Sequence, residues 1–355
     1  MVIKSIFHVE FCVGNSFQAS HFYRTVMGLS PVAYSGPETG VKDRASYLLQ
    51  RGAIRFLLSS PVTTSSELNR HLERHGEGIC DIAFEVDDAQ SAFEECVSRG
   101  ARAVREPWKI EDASGKAVLA RIGAFGDTVH TFVERDAFKG AFLPAYRPLE
   151  RMQAADTGFE RIDHFAVSVD QGTAESWVTH YDRVFGFRTS REEDIATEYS
   201  AMFSKVTESK DRGAVFVFVE PAEGRRASPI TEYLRYYGGA GVHHMALSTT
   251  DIVGSVRTLR GQGVRFTQTP RTYYDALPAR VGQIAQSLND LSEFGILVDR
   301  DTDGYLMQIF TQPVQSRPTL SFEVIQREGA LGFGSGNIKA LFEAIERAQL
   351  ERGNA

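Results

Sequence analysis

The sequence is poor in cysteine, has no excess of positive charge and contains no long apolar run. Its three cysteines, Cys12, Cys80 and Cys96, are odd in number and widely spaced, which argues against a disulfide framework and favours reduced thiols in the cytoplasm. A net charge of −7 without a basic block argues against nucleic acid or an anionic membrane surface as a partner. Since no stretch approaches the ~20 apolar residues of a membrane helix, we expect no membrane association.

A length of 355 residues is long for one hydrophobic core and suits two domains. The chain also repeats weakly, because FYRTVMGL at 22–29 and HYDRVFGF at 180–187 place Tyr, Val and Gly in the same order. We therefore predict two related units, residues 1–150 and 151–355. Helices that alternate with short strands indicate an α+β fold, with mixed or antiparallel sheets curled around a cavity.

The C-terminal region combines a strand, a glycine-rich turn and a helix. Glu323 lies inside the apolar run LSFEVIQ, where a carboxylate is costly unless it is paired or binds a metal. Beyond the turn, Ile338, Leu341, Phe342 and Ile345 follow the spacing of one apolar helix face. We predict a metal ligand beneath a C-terminal lid helix; an ordinary strand-edge acid or ion pair is the plainer alternative.

Histidines on two further predicted strands complete a possible ligand set. His164 lies in IDHFAVSV, and His243 and His244 are adjacent in GVHHMALS. Neighbouring strand residues face opposite sides, so we expect only one of the adjacent pair to face the cavity. Two histidines and a carboxylate are typical of non-haem Fe(II) oxygenases. Zinc hydrolases also use two histidines and a glutamate, so the residues alone leave the metal open.

The second half resembles the 4-hydroxyphenylpyruvate dioxygenase family, which includes 4-hydroxymandelate synthase and has the vicinal oxygen chelate fold. The first half is similar only in outline, as in RIGAFGDTVHTFVER. The segments that carry the resemblance are IDHFAV, GAGVHHMAL, TYYDAL, FGILVDRDTDGYLMQIFTQPV, RPTLSFEVIQR and GFGSGNIKALFEAIE.

This resemblance implies two tandem vicinal-oxygen-chelate domains and an Fe(II) site held by His164, His244 and Glu323. The implied substrates are O₂ and an aromatic 2-oxo acid, which is oxidatively decarboxylated. A homo-oligomer, dimeric or tetrameric, is also implied.

Matching the strands of the two halves places His8, Asp81 and Thr131 at the positions of the three ligands. This set lacks a strong third ligand. We therefore predict that residues 1–150 are a degenerate, non-catalytic copy with a structural role.

The resemblance also implies substrate contacts. Ser204 and Gln308 match polar pocket residues of the family, and Phe310 is expected to form an aromatic wall. The dioxygenase branch has larger or more polar residues at other pocket positions, where this chain has Val219, Ser321 and Ile338.

Two of these departures bear on the product. Val219, in place of a pocket Asn, and Ile338, in place of a lid Phe, resemble the 4-hydroxymandelate synthase branch. We therefore predict benzylic hydroxylation of 4-hydroxyphenylpyruvate or a close analogue to 4-hydroxymandelate. The first alternative is the dioxygenase reaction that gives homogentisate. A more remote alternative is a non-catalytic small-molecule binding protein of the same fold.

Overall fold

The structure is a computed structural model that describes residues 3–150, 152–196, 201–224, 227–269, 271–337 and 339. In this part of the chain the strands form two mixed sheets, one from each half, with helices packed against them. The first sheet has the order β6-β7-β8-β5-β1-β4-β3-β2-β9. Its strands are β1 (Ile3–Cys12), β2 (Ser30–Ser35), β3 (Arg44–Arg51), β4 (Ile54–Pro61), β5 (Gly78–Val86), β6 (Ala103–Asp112), β7 (Gly115–Gly123), β8 (Val129–Glu134) and β9 (Arg147–Pro148). Its helices are α1 (Ser16–Thr25), α2 (Leu68–His75) and α3 (Ala89–Ser98), with a 3₁₀ turn at Pro37–Thr39.

The second sheet has the order β11-β12-β13-β10-β14-β17-β16-β15. Its strands are β10 (Phe159–Ser168), β11 (Arg188–Ala196), β12 (Ala201–Glu208), β13 (Val215–Ala222), β14 (Gly241–Thr249), β15 (Leu297–Arg300), β16 (Tyr305–Phe310) and β17 (Ser321–Glu328). Its helices are α4 (Ala174–Phe185), α5 (Pro229–Tyr237), α6 (Ile252–Gly261), α7 (Arg271–Asp275), α8 (Leu277–Val281) and α9 (Leu288–Phe294).

The two sheets repeat one pattern of strand pairing. In the first, β1 pairs in parallel with β4 and antiparallel with β5, which pairs in parallel with β8. In the second, β10 makes the same pairs with β13 and β14, and β14 with β17. Even the helix caps repeat, since Asp88 and Asp251 accept hydrogen bonds from the backbone three residues on, at the starts of α3 and α6. The predicted α+β fold of two curled mixed sheets is confirmed.

The halves share a continuous apolar core. Phe322 of β17 packs against Phe11 and Phe56 of the first half, with ring centroids 6.5 and 6.1 Å away. In a second contact between the halves, the buried imidazole of His130 accepts a hydrogen bond of 2.7 Å from the hydroxyl of Tyr181. The strands of the first sheet end at Pro148 and those of the second begin at Phe159. The domain limits at 150 and 151 stay predictions.

The glycine-rich turn after β17 is firmly bonded. Asp301 accepts from the amides of Leu331 and Gly332 at 2.9 and 2.7 Å, and Asp299 accepts from Gly336. One helical turn follows at residues 335–337. Of the rest of the predicted lid helix only Lys339 is among the described residues, and Ile338 lies outside them. In the described chain no helix is both long and apolar enough to cross a membrane.

Candidate metal and substrate site

The three predicted ligands lie on neighbouring strands of the second sheet. His164 on β10 pairs with Ala246 on β14, and Ala246 pairs in turn with Glu323 on β17. His244 precedes Ala246 by two residues, so strand alternation turns its side chain to the same face. The pairing of three strands therefore brings together residues that are far apart in the sequence.

The donor atoms of these residues converge. Oε2 of Glu323 lies 3.2 Å from Nε2 of His164 and 3.3 Å from Nε2 of His244. All three side chains are buried or nearly so, and one ligand atom from each lies within 4.8 Å of the others. Oε1 of Glu323 has no hydrogen-bond partner among the described residues. A buried carboxylate oxygen left unpaired beside two imidazole nitrogens fits a divalent cation.

Each of these histidines is held by the residue just before it. Nδ1 of His164 lies 2.9 Å from Oδ1 of Asp163, and Nδ1 of His244 lies 2.9 Å from Nε2 of His243. Asp163 and His243 are the extra residues at two irregularities of the β10–β14 pairing. Such bulges change the direction of side chains. Asp163 and His243 can therefore contact Nδ1 of the histidine that follows each of them, while Nε2 of that histidine faces Glu323. Simple alternation therefore does not separate His243 from His244 as expected, although only His244 contacts Glu323.

The electrostatics of the cluster follow from burial and pairing. Burial lowers the pKa of His164, but the Glu323 and Asp163 carboxylates outweigh it and raise that pKa to about 9. Burial lowers the pKa of His244, and its contact with Glu323 opposes this only in part. Burial would raise the pKa of Glu323, yet the two histidines hold it below its usual value. The carboxylate is thus ionised, as a metal ligand must be.

Two of the predicted substrate residues, Ser204 and Val219, lie in register with Ser168, which was not predicted, and a third, Phe310, packs against a predicted ligand. Val219 on β13 lies opposite Ser204 on β12 and Ser168 on β10, and all three are buried. Phe310 packs edge-on against His244, with ring centroids 5.3 Å apart. Phe333 of the glycine-rich turn packs in the same way against His164, at 5.0 Å.

Gln308 of β16 is fully buried, and neither atom of its amide has a partner among the described residues. Gly334, with φ of +74°, passes so close that a Cβ there would meet this amide at 2.8 Å. A buried, unpartnered amide that can both donate and accept fits a polar group of a ligand.

Ser321, the remaining described pocket residue, pairs with His244 and is half-buried. Its hydroxyl lies 3.5 Å from the carbonyl oxygen of His243, so it lines the approach to the second histidine.

Sequence reasoning missed four residues here: Asp163, Arg327, Ser168 and Phe333. The signal for Asp163 was its position next to His164. Arg327 lies four residues after Glu323, but nothing local shows that it reaches Asp163.

The first half has a related but different cluster at the matching place. His8 pairs with Ala83, and the β5–β8 register places Thr131 beside Ala83. Asp81 accepts from the amide and hydroxyl of Thr131 and lies 3.5 Å from the guanidinium of Arg121. Glu10, which strand matching did not single out, brings a further carboxylate within 4.8 Å of His8 and Asp81.

The two duplicated sheets define a protein of the vicinal oxygen chelate class, and its two-histidine, one-carboxylate cluster could hold a metal ion. Residues 161–309 match the Glyoxalase/Bleomycin resistance protein/Dioxygenase superfamily, and residues 1–142 match the N-terminal part of hydroxyphenylpyruvate dioxygenase. The 4-hydroxyphenylpyruvate dioxygenase of Dictyostelium discoideum is 41% identical, covering 98% of each chain. That of Yarrowia lipolytica is 39% identical over 98% of this chain and 92% of its own.

Solved structures agree. A mutant of 4-hydroxymandelate synthase from Streptomyces coelicolor superposes with a TM-score of 0.89 and 37% identity, over 98% of this chain and all of the other. The chain belongs to the 4-hydroxyphenylpyruvate dioxygenase family, a family of non-haem iron oxygenases. Its oligomeric state and cytoplasmic location stay predictions.

Proposed function

We propose that this protein is an Fe(II)-dependent dioxygenase that converts 4-hydroxyphenylpyruvate and O₂ to homogentisate and CO₂. The observation that carries the proposal is the convergence of His164, His244 and Glu323 within 4.8 Å, on the sheet face that also carries the buried, unpartnered amide of Gln308. The relatives at about 40% identity that are named for this activity support it.

In this proposal His164, His244 and Glu323 hold Fe(II). The bound metal would supply chelation of the 2-oxo acid and activation of O₂. Phe310 and Phe333 flank the two ligand imidazoles, and their rings exclude water and offer flat apolar walls to an aromatic substrate.

Gln308 has a separate role, which is to orient the substrate. Its amide is unsatisfied, so a substrate hydroxyl or carboxylate that pairs with it gains a hydrogen bond at no cost to a protein partner. The first half of the chain, residues 1–150, contributes structure rather than ligands.

The second candidate product is 4-hydroxymandelate, the product expected from sequence. The names of the curated relatives favour homogentisate over it. The likeness to 4-hydroxymandelate synthase favours it, as does Val219, which lies in a buried apolar cluster with Val217, Ile230 and Phe333. An apolar residue there offers no amide to fix the ring, and a misplacement of about 1 Å can change rates ~100-fold.

Product analysis separates these candidates. Protein purified without oxygen is loaded with Fe(II), given O₂ and 4-hydroxyphenylpyruvate, and its products are separated by chromatography. Homogentisate as the main product supports the proposal, and 4-hydroxymandelate supports the second candidate. No bound iron together with no O₂ uptake on a panel of arylpyruvates would contradict both and favour a non-catalytic binding protein.

Two variants test whether pocket residues determine which product is formed. If the wild type makes 4-hydroxymandelate, Val219→Asn and Ile338→Phe should each shift the product ratio toward homogentisate. Thr131→Ser, a conservative change in the first half of the chain, serves as control and should leave the ratio unchanged.

A further inference from the structure

The feature that carries a further inference is the ion pair between Asp163 and Arg327, next to the proposed metal ligands. Nε and one terminal nitrogen of Arg327 donate to the two carboxylate oxygens of Asp163, at 2.9 and 2.8 Å. One of those oxygens, Oδ1, also accepts from Nδ1 of His164 at 2.9 Å. The arginine therefore fixes the carboxylate that fixes the histidine.

Arg327 has a second set of contacts, with the glycine-rich turn. Its other terminal nitrogen donates to the carbonyl oxygens of Ala330 and Gly332, at 3.1 and 2.6 Å. Its guanidinium also lies 5.4 Å from the ring of Phe333, which packs edge-on against His164. One side chain thus joins the turn to the histidine by two routes.

In the first half, the matching arginine contacts its turn but, within the described part of the chain, has no link to the histidine. Arg135, four residues after Thr131, donates to the carbonyl oxygen of Gly140 at 3.0 Å, much as Arg327 holds its own turn. The residue before His8 is Phe7, and Arg135 lies 5.8 Å from its ring. Nε of Arg135 is buried without a partner among the described residues, and so is Nδ1 of His8.

Only one half therefore completes the chain from arginine to carboxylate to imidazole. If Arg327 served only to hold the turn, it would need no carboxylate partner. An apolar residue would then suffice at position 163, as Phe7 does at the matching position of the first half. Buried ion pairs by themselves stabilise little against an apolar alternative, which favours a functional reason for this one.

We infer that Asp163 and Arg327 are positioning residues that fix His164 for metal binding and couple the metal site to the turn at 329–336. This inference rests on the proposed function, because it requires His164 to be a metal ligand. When His164 is neutral, as metal binding requires, the Asp163 carboxylate holds its proton on Nδ1 and leaves the lone pair on Nε2, and it makes the imidazole a stronger donor to the metal. The same guanidinium binds both Asp163 and the turn, so a movement of the turn would also change the orientation of Asp163.

The test uses the full-length, metal-free protein and Co(II) as the probe, added without oxygen and followed by visible absorption. Asp163→Asn and Arg327→Met should weaken Co(II) binding by about 10- to 100-fold, the usual effect of losing an outer partner of a metal-bound histidine. Arg135→Met, which removes the matching arginine of the first half, is the control and should bind Co(II) like the wild type.

A second measurement tests the coupling. Hydrogen exchange of the amides in 329–336 should slow when Co(II) binds the wild type, and this protection should be lost in Asp163→Asn. That variant leaves the contacts of Arg327 with Ala330 and Gly332 in place, so a merely structural role would not change it. Asp163→Asn also decides the question if Arg327→Met does not fold.

The possible failures are distinct. Wild-type protein that binds no Co(II) would overturn the proposed metal site and this inference with it. Wild-type affinity and absorption in both Asp163→Asn and Arg327→Met would overturn the inference alone. Equal weakening in Arg135→Met would also overturn it, since the effect would then be general loss of stability.

Discussion

The two halves of this chain build the same scaffold and place different chemistry on it. Both have a bulge just before the first histidine, at Phe7 and Asp163, and another on the neighbouring strand, at Cys80 and His243. The residue after each second bulge is Asp81 in the first half and His244 in the second. Bulges and strand order therefore belong to the fold, whereas metal binding depends on the residues placed there.

His8 and His164, which hold matching positions, show how strongly neighbouring charges set the pKa of a buried histidine. Burial lowers the pKa of His8 to about 4, and nearby guanidinium groups of Arg121 and Arg55 oppose the small effect of Glu10. His164, just as buried, has a pKa of about 9 because Glu323 and Asp163 face it. The same strand position thus favours a neutral imidazole in one half and an ion pair in the other.

The largest effect should come from removing the carboxylate of Glu323, where the first half has Thr131 instead. Glu323→Gln keeps the shape but loses the charge, and turnover and Fe(II) binding should fall by more than the ~10- to 100-fold typical of outer partners. Thr131→Ser at the matching position should leave both unchanged. Metal content and O₂ uptake measure this, and activity within a few-fold of wild type would refute Glu323 as a ligand.

A smaller contrast is expected between the adjacent histidines. His244→Ala should abolish tight metal binding, because Nε2 of His244 contacts Glu323. His243→Gln should weaken Co(II) binding by about 10-fold, since His243 supports His244 only through Nδ1. Co(II) titration of both variants is the measurement. Loss of the metal in His243→Gln with retention in His244→Ala would reverse the assignment.

The sequence predicted the parts of this site that follow from residue type and strand pattern. Glu323 inside an apolar run and His164 near the start of an alternating strand were sufficient to propose ligands. The family likeness supplied the choice of His244. The α+β fold and the duplication followed from repeated strand and helix signals.

What sequence could not supply depends on irregular backbone and distant contacts. A bulge has no signal in a two-residue period, so the placement of Asp163 and His243 beside the ligands was not predicted. The contacts of Arg327 with Ala330 and Gly332 arise from how the turn closes. The glycines at 329–336 likewise predicted only a turn, and not the hydrogen bonds to Asp301 and Asp299 that hold it.

A third prediction changes a substrate residue to its first-half counterpart. Gln308 pairs with Ile325 as Leu119 pairs with Val133, so the two occupy matching positions. Gln308→Leu should lower kcat/KM for 4-hydroxyphenylpyruvate about 10-fold, the effect of losing one hydrogen bond worth ~1.5 kcal/mol, while Co(II) affinity stays at the wild-type value. An unchanged kcat/KM would show that the amide does not contact the substrate.

The last predicted effect concerns stability and not activity: a pH dependence that arises in the first half. Nδ1 of His130 donates to the carbonyl oxygen of Ile82 and Nε2 accepts from Tyr181, so the folded protein needs this imidazole neutral. Burial lowers its pKa to about 4, whereas the unfolded chain takes up the proton near pH 6.5. The contribution of His130 to the free energy of unfolding of the metal-free protein should therefore rise with pH from about 4 to 6.5, by at most ~1.4 kcal/mol per pH unit, and then level off. His8 and His71, whose pKa values burial also lowers to about 4, act in the same direction.

Urea unfolding at several pH values should show a shallower slope for His130→Gln than for wild type, and no change for His21→Gln on the surface. An identical slope in His130→Gln would mean that this histidine is protonated in the folded state and that the contact between the halves tolerates the charge.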